Sequence, residues 1–210
     1  MVILILPLLY SRVTWQSRWQ LSRKVGTLKI ETIEQARRFV IQERICTVFS
    51  GKSKALRSLW DAVGLPEKQP GEKGWGQKVS AVWSWKNELP ARYPEEIFYG
   101  KIKGGAAVLM TISYLRNYHY PQYHKDIGDC RWLSQQIYEL VRLGLYETTE
   151  LRRDSMERFG CTKSQFDTAL KELQITLNIV RSNDIGVQRD TWLPFQEIYY
   201  EIYDEHHPET

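Results

Sequence analysis

Three observations predict an α+β chain that is mainly α-helical. From Arg131 to Leu173, apolar residues recur every three or four positions in three successive runs. After Leu173 the spacing changes to two, and a polar turn divides the alternating stretch. Between residues 27 and 120, a looser succession of helical patterns ends in a Gly-rich stretch of β-formers. Three helices followed by a hairpin is the order of a winged helix, a module most often built to lie on double-stranded DNA. The sequence therefore predicts tandem winged-helix-like modules over residues 27–120 and 126–205, the C-terminal one the clearer, behind an N-terminal extension at 1–26.

The extension holds an apolar run, Val2 to Tyr10, broken by Pro7. It is too short to span a membrane. It also lacks the basic start and small-residue cleavage site of a signal peptide. The folded modules are therefore expected to begin at about Thr27.

In the first module Thr32 caps a helix carrying Ile33, Ala36, Phe39 and Val40. Ser50-Gly51-Lys52-Ser53 interrupts the pattern. Leu56, Leu59, Trp60 and Val63 resume it until Gly64-Leu65-Pro66. Gly51-Lys52-Ser53 matches the end of a phosphate-binding loop, but the upstream glycine is replaced by Cys46. Lys68 to Gly76 is a loop. Val79, Val82, Trp83 and Trp85 then mark a third helix ending near Leu89-Pro90. Tyr99–Ile102 and Ala106–Met110 read as strands of a hairpin, with one helix over 106–119 as the alternative. Tyr120 to Gly128 reads as the linker.

The second module opens with a helix over 131–143, with Trp132, Leu133, Ile137, Leu140 and Val141 on one face and Gly144 as its stop. Thr148 or Thr149 is the expected cap of the next helix, whose stripe is Leu151, Ser155, Met156 and Phe159. Gly160 closes it in the left-handed region. Thr162-Lys163-Ser164-Gln165 fits a capping box. Phe166, Ala169, Leu170 and Leu173 follow at i, i+3, i+4 and i+7. The short turn Gly160-Cys161-Thr162 suits a helix-turn-helix. Ile175 to Val180 and Val187 to Leu193 read as the two strands of the wing, joined by Ser182 to Gly186 and ended by Pro194. Phe195, Ile198, Tyr199, Ile202 and Tyr203 make a last amphipathic helix.

On this plan the polar face of the third helix meets the major groove through Lys163, Ser164, Gln165, Thr168 and Lys171. Arg181, Asn183 and Arg189 reach phosphates or the minor groove from the wing. Arg152 and Arg153 sit near the backbone crossing. Charge weighs against a strong binder. Tyr146 to Phe195 holds seven Lys or Arg against eight Asp or Glu, whereas phosphate neutralisation supplies most DNA affinity. A basic excess lies elsewhere: residues 1–30 carry five Lys or Arg and no acid, and residues 196–210 carry five acids and no Lys or Arg.

Other chemistry finds little support. Cys46, Cys130 and Cys161 form no CxxC pair, which argues against a thiolate zinc site and fits the reducing cytoplasm. His119 and His124 are five apart across a proline, a spacing that suits neither a helical nor a strand face, and His206 and His207 lie in the tail. No metal and no cofactor is therefore expected. No nucleophile elbow is present. Glu95 or Glu96 beside Phe98 and Tyr99 could in principle supply a carboxylate for base excision, but surface solvation is by far the better explanation of them. Trp83 and Trp85, two apart, predict one buried and one exposed ring. The exposed one is a stacking candidate.

The run Trp83-Ser-Trp-Lys-Asn-Glu-Leu-Pro-Ala-Arg-Tyr-Pro, then Phe98-Tyr-Gly-Lys-Ile-Lys-Gly-Gly, Leu170-Lys-Glu-Leu-Gln and Asn178-Ile-Val-Arg-Ser-Asn, resembles proteins related to the AlkZ-like (YcaQ-type) DNA glycosylases over roughly residues 30–205. The resemblance implies tandem winged helices, DNA binding and, for catalytic members, excision of alkylated or cross-linked bases. Their catalytic motif, Gln, an apolar residue, then Gln or Asp, is missing from the first module here. Gln165-Phe166-Asp167 matches its letters but falls in the capping box of the second module. Gln174-Ile175-Thr176 lacks the final amide or carboxylate. Three functions follow in order: a duplex-DNA-binding protein without base excision, a repair glycosylase acting on alkylated bases, and a non-catalytic protein-interaction module.

Overall fold

The computed structural model describes residues 29–51, 55–144, 147–184 and 190–207. The predicted extension at 1–26 and Arg189 lie outside them. The fold is α+β, with helices around two small antiparallel sheets.

Helix α1 spans Ile33–Glu43. The Gln35 amide donates to the Thr32 hydroxyl at 3.3 Å, and the Thr32 amide donates to the Gln35 side chain at 3.1 Å, which closes a capping box. Arg44, at φ 65°, turns the chain out of the helix and into strand β1, Ile45–Thr47. Strand β1 leaves no trace in the residue pattern, because three residues are too few to show a period. Helix α2 is the single turn Leu59–Ala62, capped by Ser58. Helix α3, Gln77–Arg92, runs past the predicted stop at Pro90. A proline in the last turn removes only one intrahelical hydrogen bond, and burial of its ring against the core offsets that loss.

Strands β2 (Ile97–Lys101) and β3 (Ala107–Thr111) form the predicted hairpin, with Ile97 opposite Thr111 and Lys101 opposite Ala107. Strand β1 adds to the other edge of β3, in the order β1-β3-β2. The alternative at 106–119 resolves as strand and then helix. Thr111 caps α4, Ile112–Tyr114. A π turn at Leu115–His119 and α5, Tyr120–Tyr123, follow. Ala36, Val40, Val82, Leu89, Ile97 and Leu109 form the core of this half.

A 3-10 turn, Ile127–Asp129, leads into α6 (Trp132–Arg142), α7 (Thr148–Phe159) and α8 (Lys163–Ile175). Strands β4 (Ile179–Arg181) and β5 (Trp192–Pro194) pair antiparallel. Helices α9 (Phe195–Ile198) and α10 (Tyr200–His206) end the described chain. Gly160 takes the expected left-handed C-cap, at φ 63°. The Thr162–Gln165 capping box forms at both ends. Ile137, Val141, Leu151, Phe166, Leu170 and Leu173 share one core. Complete burial of Phe166 stabilises by roughly 1.5–3 kcal/mol.

Four local expectations change. Neither Thr148 nor Thr149 caps α7, since the N-cap is Glu147. The Thr148 hydroxyl instead donates to the Asp190 carbonyl and accepts from the Trp192 indole, tying α7 to β5. Met156 and Trp132 face solvent rather than the core, at 40% and 60% exposure. Helix α8 continues to Ile175, and fully buried Leu177 takes φ 56° before β4 starts at Ile179, so the alternation over 175–178 is not strand. The last helix is broken at Tyr199 into α9 and α10.

The two halves share a third core. Phe98, Met110, Leu115 and Tyr120 come from the first, and Leu177, Val180, Phe195 and Ile202 from the second. The stretch expected to be a linker enters it directly, because Tyr120 is buried and stacks on Phe195 at 5.0 Å between ring centroids.

Candidate nucleic-acid interface

Helix α8 presents two different surfaces along its length. Its first turns expose Lys163, Ser164 and Gln165 while Phe166 points inward, and Thr168 is half-buried. Ser164, Gln165 and Thr168 line one side of an open groove of about 270 Å³, faced by Arg131 and Leu133 from the start of α6. The last turns are covered. Gln174 is buried beside Phe98, Tyr99 and Gly100 of β2. The Lys171 stem passes close to Gly105 in the β2–β3 turn, where an added Cβ would come within 3.1 Å of it, although Lys171 itself stays exposed.

Arg131, on the groove wall, is itself held by Glu172. Glu172 accepts from the Ser134 hydroxyl and from Arg131 at 3.0 Å. Burial pushes its pKa up, but these hydrogen bonds outweigh burial and hold the carboxyl below its usual range.

The other expected contacts are mostly engaged. Arg152 pairs with Asp167 at 3.2 Å and lies over the Phe166 ring. Arg153 is exposed and pairs with Asp154 at 3.4 Å. The Arg181 side chain is only 10% exposed, bonded to Asp190 and set over Tyr99. Asn183 is half-buried and hydrogen-bonds Tyr199, whose hydroxyl burial pushes up to about 12. Among the cations of this face, Lys163 and Lys171 have no ion pair within the described residues. Gln165 is held in the capping box, Phe166 is core, and Asp167 serves Arg152, so the letter match to the glycosylase motif is structurally occupied.

The segments quoted above from 83–94, 98–105, 170–174 and 178–183 meet at the seam between the halves. Lys86 is buried, donates to Asn87 and lies over both Trp83 and Tyr99. Burial first, and Arg181 second, lower its pKa to about 8. Gly100 is required here, since a Cβ would sit 2.3 Å from the Phe98 ring. The cavity at the seam is about 10 Å³, the size of one water and far below a nucleobase. Trp85 is buried and Trp83 exposed, as the two-residue spacing predicts. Trp83 packs edge-on to exposed Trp75 and near Phe49. Glu96 is committed to Arg37, at 2.6 Å.

Folding also joins groups that chain spacing keeps apart. His124 and Asp126 meet His207, with one ligand-type atom of each within 4.8 Å of the others. Pairing His124 with His119 along the chain misses this, because His207 arrives from α10. His119 is separately buried, and burial lowers its pKa to about 4. The three cysteines are free and buried. No described helix is long and apolar enough to cross a membrane.

No curated protein and no solved structure matches this chain. The sequence profile of the family described as AlkZ related does match, over residues 30–189, from α1 to the far side of the β4–β5 connection. That span holds the whole core of the first half and most of the second, and the chain belongs to the AlkZ-related family.

Proposed function

We propose that this protein binds duplex DNA through its second half, acting as a winged helix with α8 set into the major groove. The single observation that carries the reading is the split surface of α8. Its N-terminal face exposes Lys163, Ser164 and Gln165, the latter two along an open groove, while its opposite face is core. Helix-turn-helix proteins contact base edges with the N-terminal residues of this helix. Strands β4 and β5, directly after α8, stand where a wing belongs. Asn183 follows β4 closely, and Arg189 lies outside the described residues. Helix α1, β1, α2, α3 and the β2–β3 hairpin repeat the plan with a fuller sheet. This supports tandem modules over 27–120 and 126–205.

Family membership favours a second reading, excision of a damaged base by a glycosylase-like relative. The occupied Gln165-Phe166-Asp167 triplet and the water-sized seam favour binding over excision. Fluorescence anisotropy with a labelled duplex tests the first reading. Wild type binds, and Lys163→Glu with Lys171→Glu weakens binding at least tenfold. Unchanged affinity rejects the assigned face. Release of free base from alkylated duplex would establish the second reading.

A further inference from the structure

We propose that His124, Asp126 and His207 form a binding site for a borderline divalent metal ion such as Zn²⁺, which staples the end of α10 to the junction between the halves. The proposal is independent of the DNA reading. One ligand-type atom from each residue lies within 4.8 Å of the other two. The chemistry suits the ion, since two imidazoles and a carboxylate with a fourth position open to water is a familiar zinc ligand set.

The backbone holds the three positions ready. His124 closes α5 with its amide donating to the Tyr120 carbonyl at 2.9 Å. His207 closes α10, its amide donating to Tyr203 at 3.0 Å. Asp126 begins the 3-10 turn, its carbonyl accepting from the Asp129 amide at 2.9 Å. Stacking fixes both rings. His124 lies on Tyr120 at 4.5 Å, and His207 lies on Tyr203 at 4.5 Å.

His124 brings Nε2 to 3.8 Å from Asp126 Oδ1, beyond hydrogen-bond distance. Its side chain is 11% exposed, and both ring nitrogens are enclosed with no hydrogen-bond partner. Such a group costs free energy unless something satisfies it. The Tyr120 hydroxyl lies 3.2 Å from His207 Nε2. When Nε2–H donates to it, Nδ1 is left as the bare ligand atom, the usual outer-sphere arrangement of a metal-bound histidine.

Zinc bonds of about 2.0–2.1 Å would set ligand atoms roughly 3.4 Å apart. The present spread must therefore contract by more than an ångström. Asp126, whose side chain is 72% exposed, is free to make that movement and marks the way in.

The test uses the full chain without a histidine tag, stripped with chelator and titrated with Zn²⁺ and with Co²⁺ at pH 7.5. One ion binds per chain, and cobalt shows visible d–d bands with no sulfur charge-transfer band. At a hundredfold excess over Kd, zinc raises Tm by roughly 5–10 °C. His207→Ala and Asp126→Asn each weaken binding at least tenfold and abolish the Tm rise. His207→Ala is the decisive variant, because the His124 ring is part of the packing around Tyr120 and its replacement perturbs folding. No saturable binding, unchanged binding in both variants, or a sulfur charge-transfer band would each overturn the proposal.

Discussion

Under the proposed duplex-binding function, salt dependence would separate the free cations of α8 from the engaged ones. Each phosphate neutralised contributes about 0.9 to the slope of log K against log salt. Lys163 and Lys171 have no ion pair among the described residues and are exposed, so each supplies about one phosphate contact. Changing both to alanine lowers the slope by about 1.8. Between 50 and 200 mM salt, a fourfold change, the wild-type advantage over this variant shrinks by about twelvefold. Arg181 behaves differently. Its side chain is 10% exposed and held by Asp190 over Tyr99. Arg181→Ala therefore leaves the slope within about 0.3 of wild type and instead lowers Tm, because Asp190 loses its partner. Anisotropy titrations of a labelled duplex at five salt concentrations measure all three slopes. The reasoning is refuted if Arg181→Ala flattens the slope while the double lysine variant does not.

The remaining predictions concern stability. Phe166→Ala, which empties a fully buried site, costs about 3–5 kcal/mol in urea unfolding, with little change in m. His119, pushed by burial from 6.5 to about 4, is neutral in the fold and charged more readily when unfolded. Stability present above pH 6.5 is therefore lost as pH falls toward 4, by roughly 3 kcal/mol in all, and His119→Phe flattens this part of the Tm profile. Glu172 acts in a lower window. Its depressed pKa contributes stability that is present above the usual value of 4.5 and lost as pH falls through the folded value. Glu172→Gln removes that acid-side slope while leaving the His119 window intact.

Much of the second half was legible because its signals are local. The Thr162–Gln165 box, the i, i+3, i+4, i+7 run from Phe166 and the left-handed Gly160 each depend on residues within one or two turns. Strand β1 and the true start of β4 were not legible. A three-residue strand has no period, and β1 exists only because β3 offers an unpaired edge. Thr148 illustrates the same limit. Its hydroxyl has the chemistry of a cap, but Asp190 and Trp192, more than forty residues away, claim it.

The candidate face divides in the same way. The sequence placed Lys163, Ser164, Gln165 and Lys171 on the polar side of one helix, where the structure has them. It assigned Arg181 the same free charge, yet Asp190 and Tyr99 surround that side chain. Helical periodicity alone decides which residues of α8 face outward, since it is set by the backbone's 3.6-residue turn. Which of those outward groups remain available to a partner depends on neighbours distant along the chain, and these meet only when the two halves close over their shared core. The meeting of His124, Asp126 and His207 has the same origin, because α10 reaches the junction beside the Tyr120–Phe195 stack of the shared core.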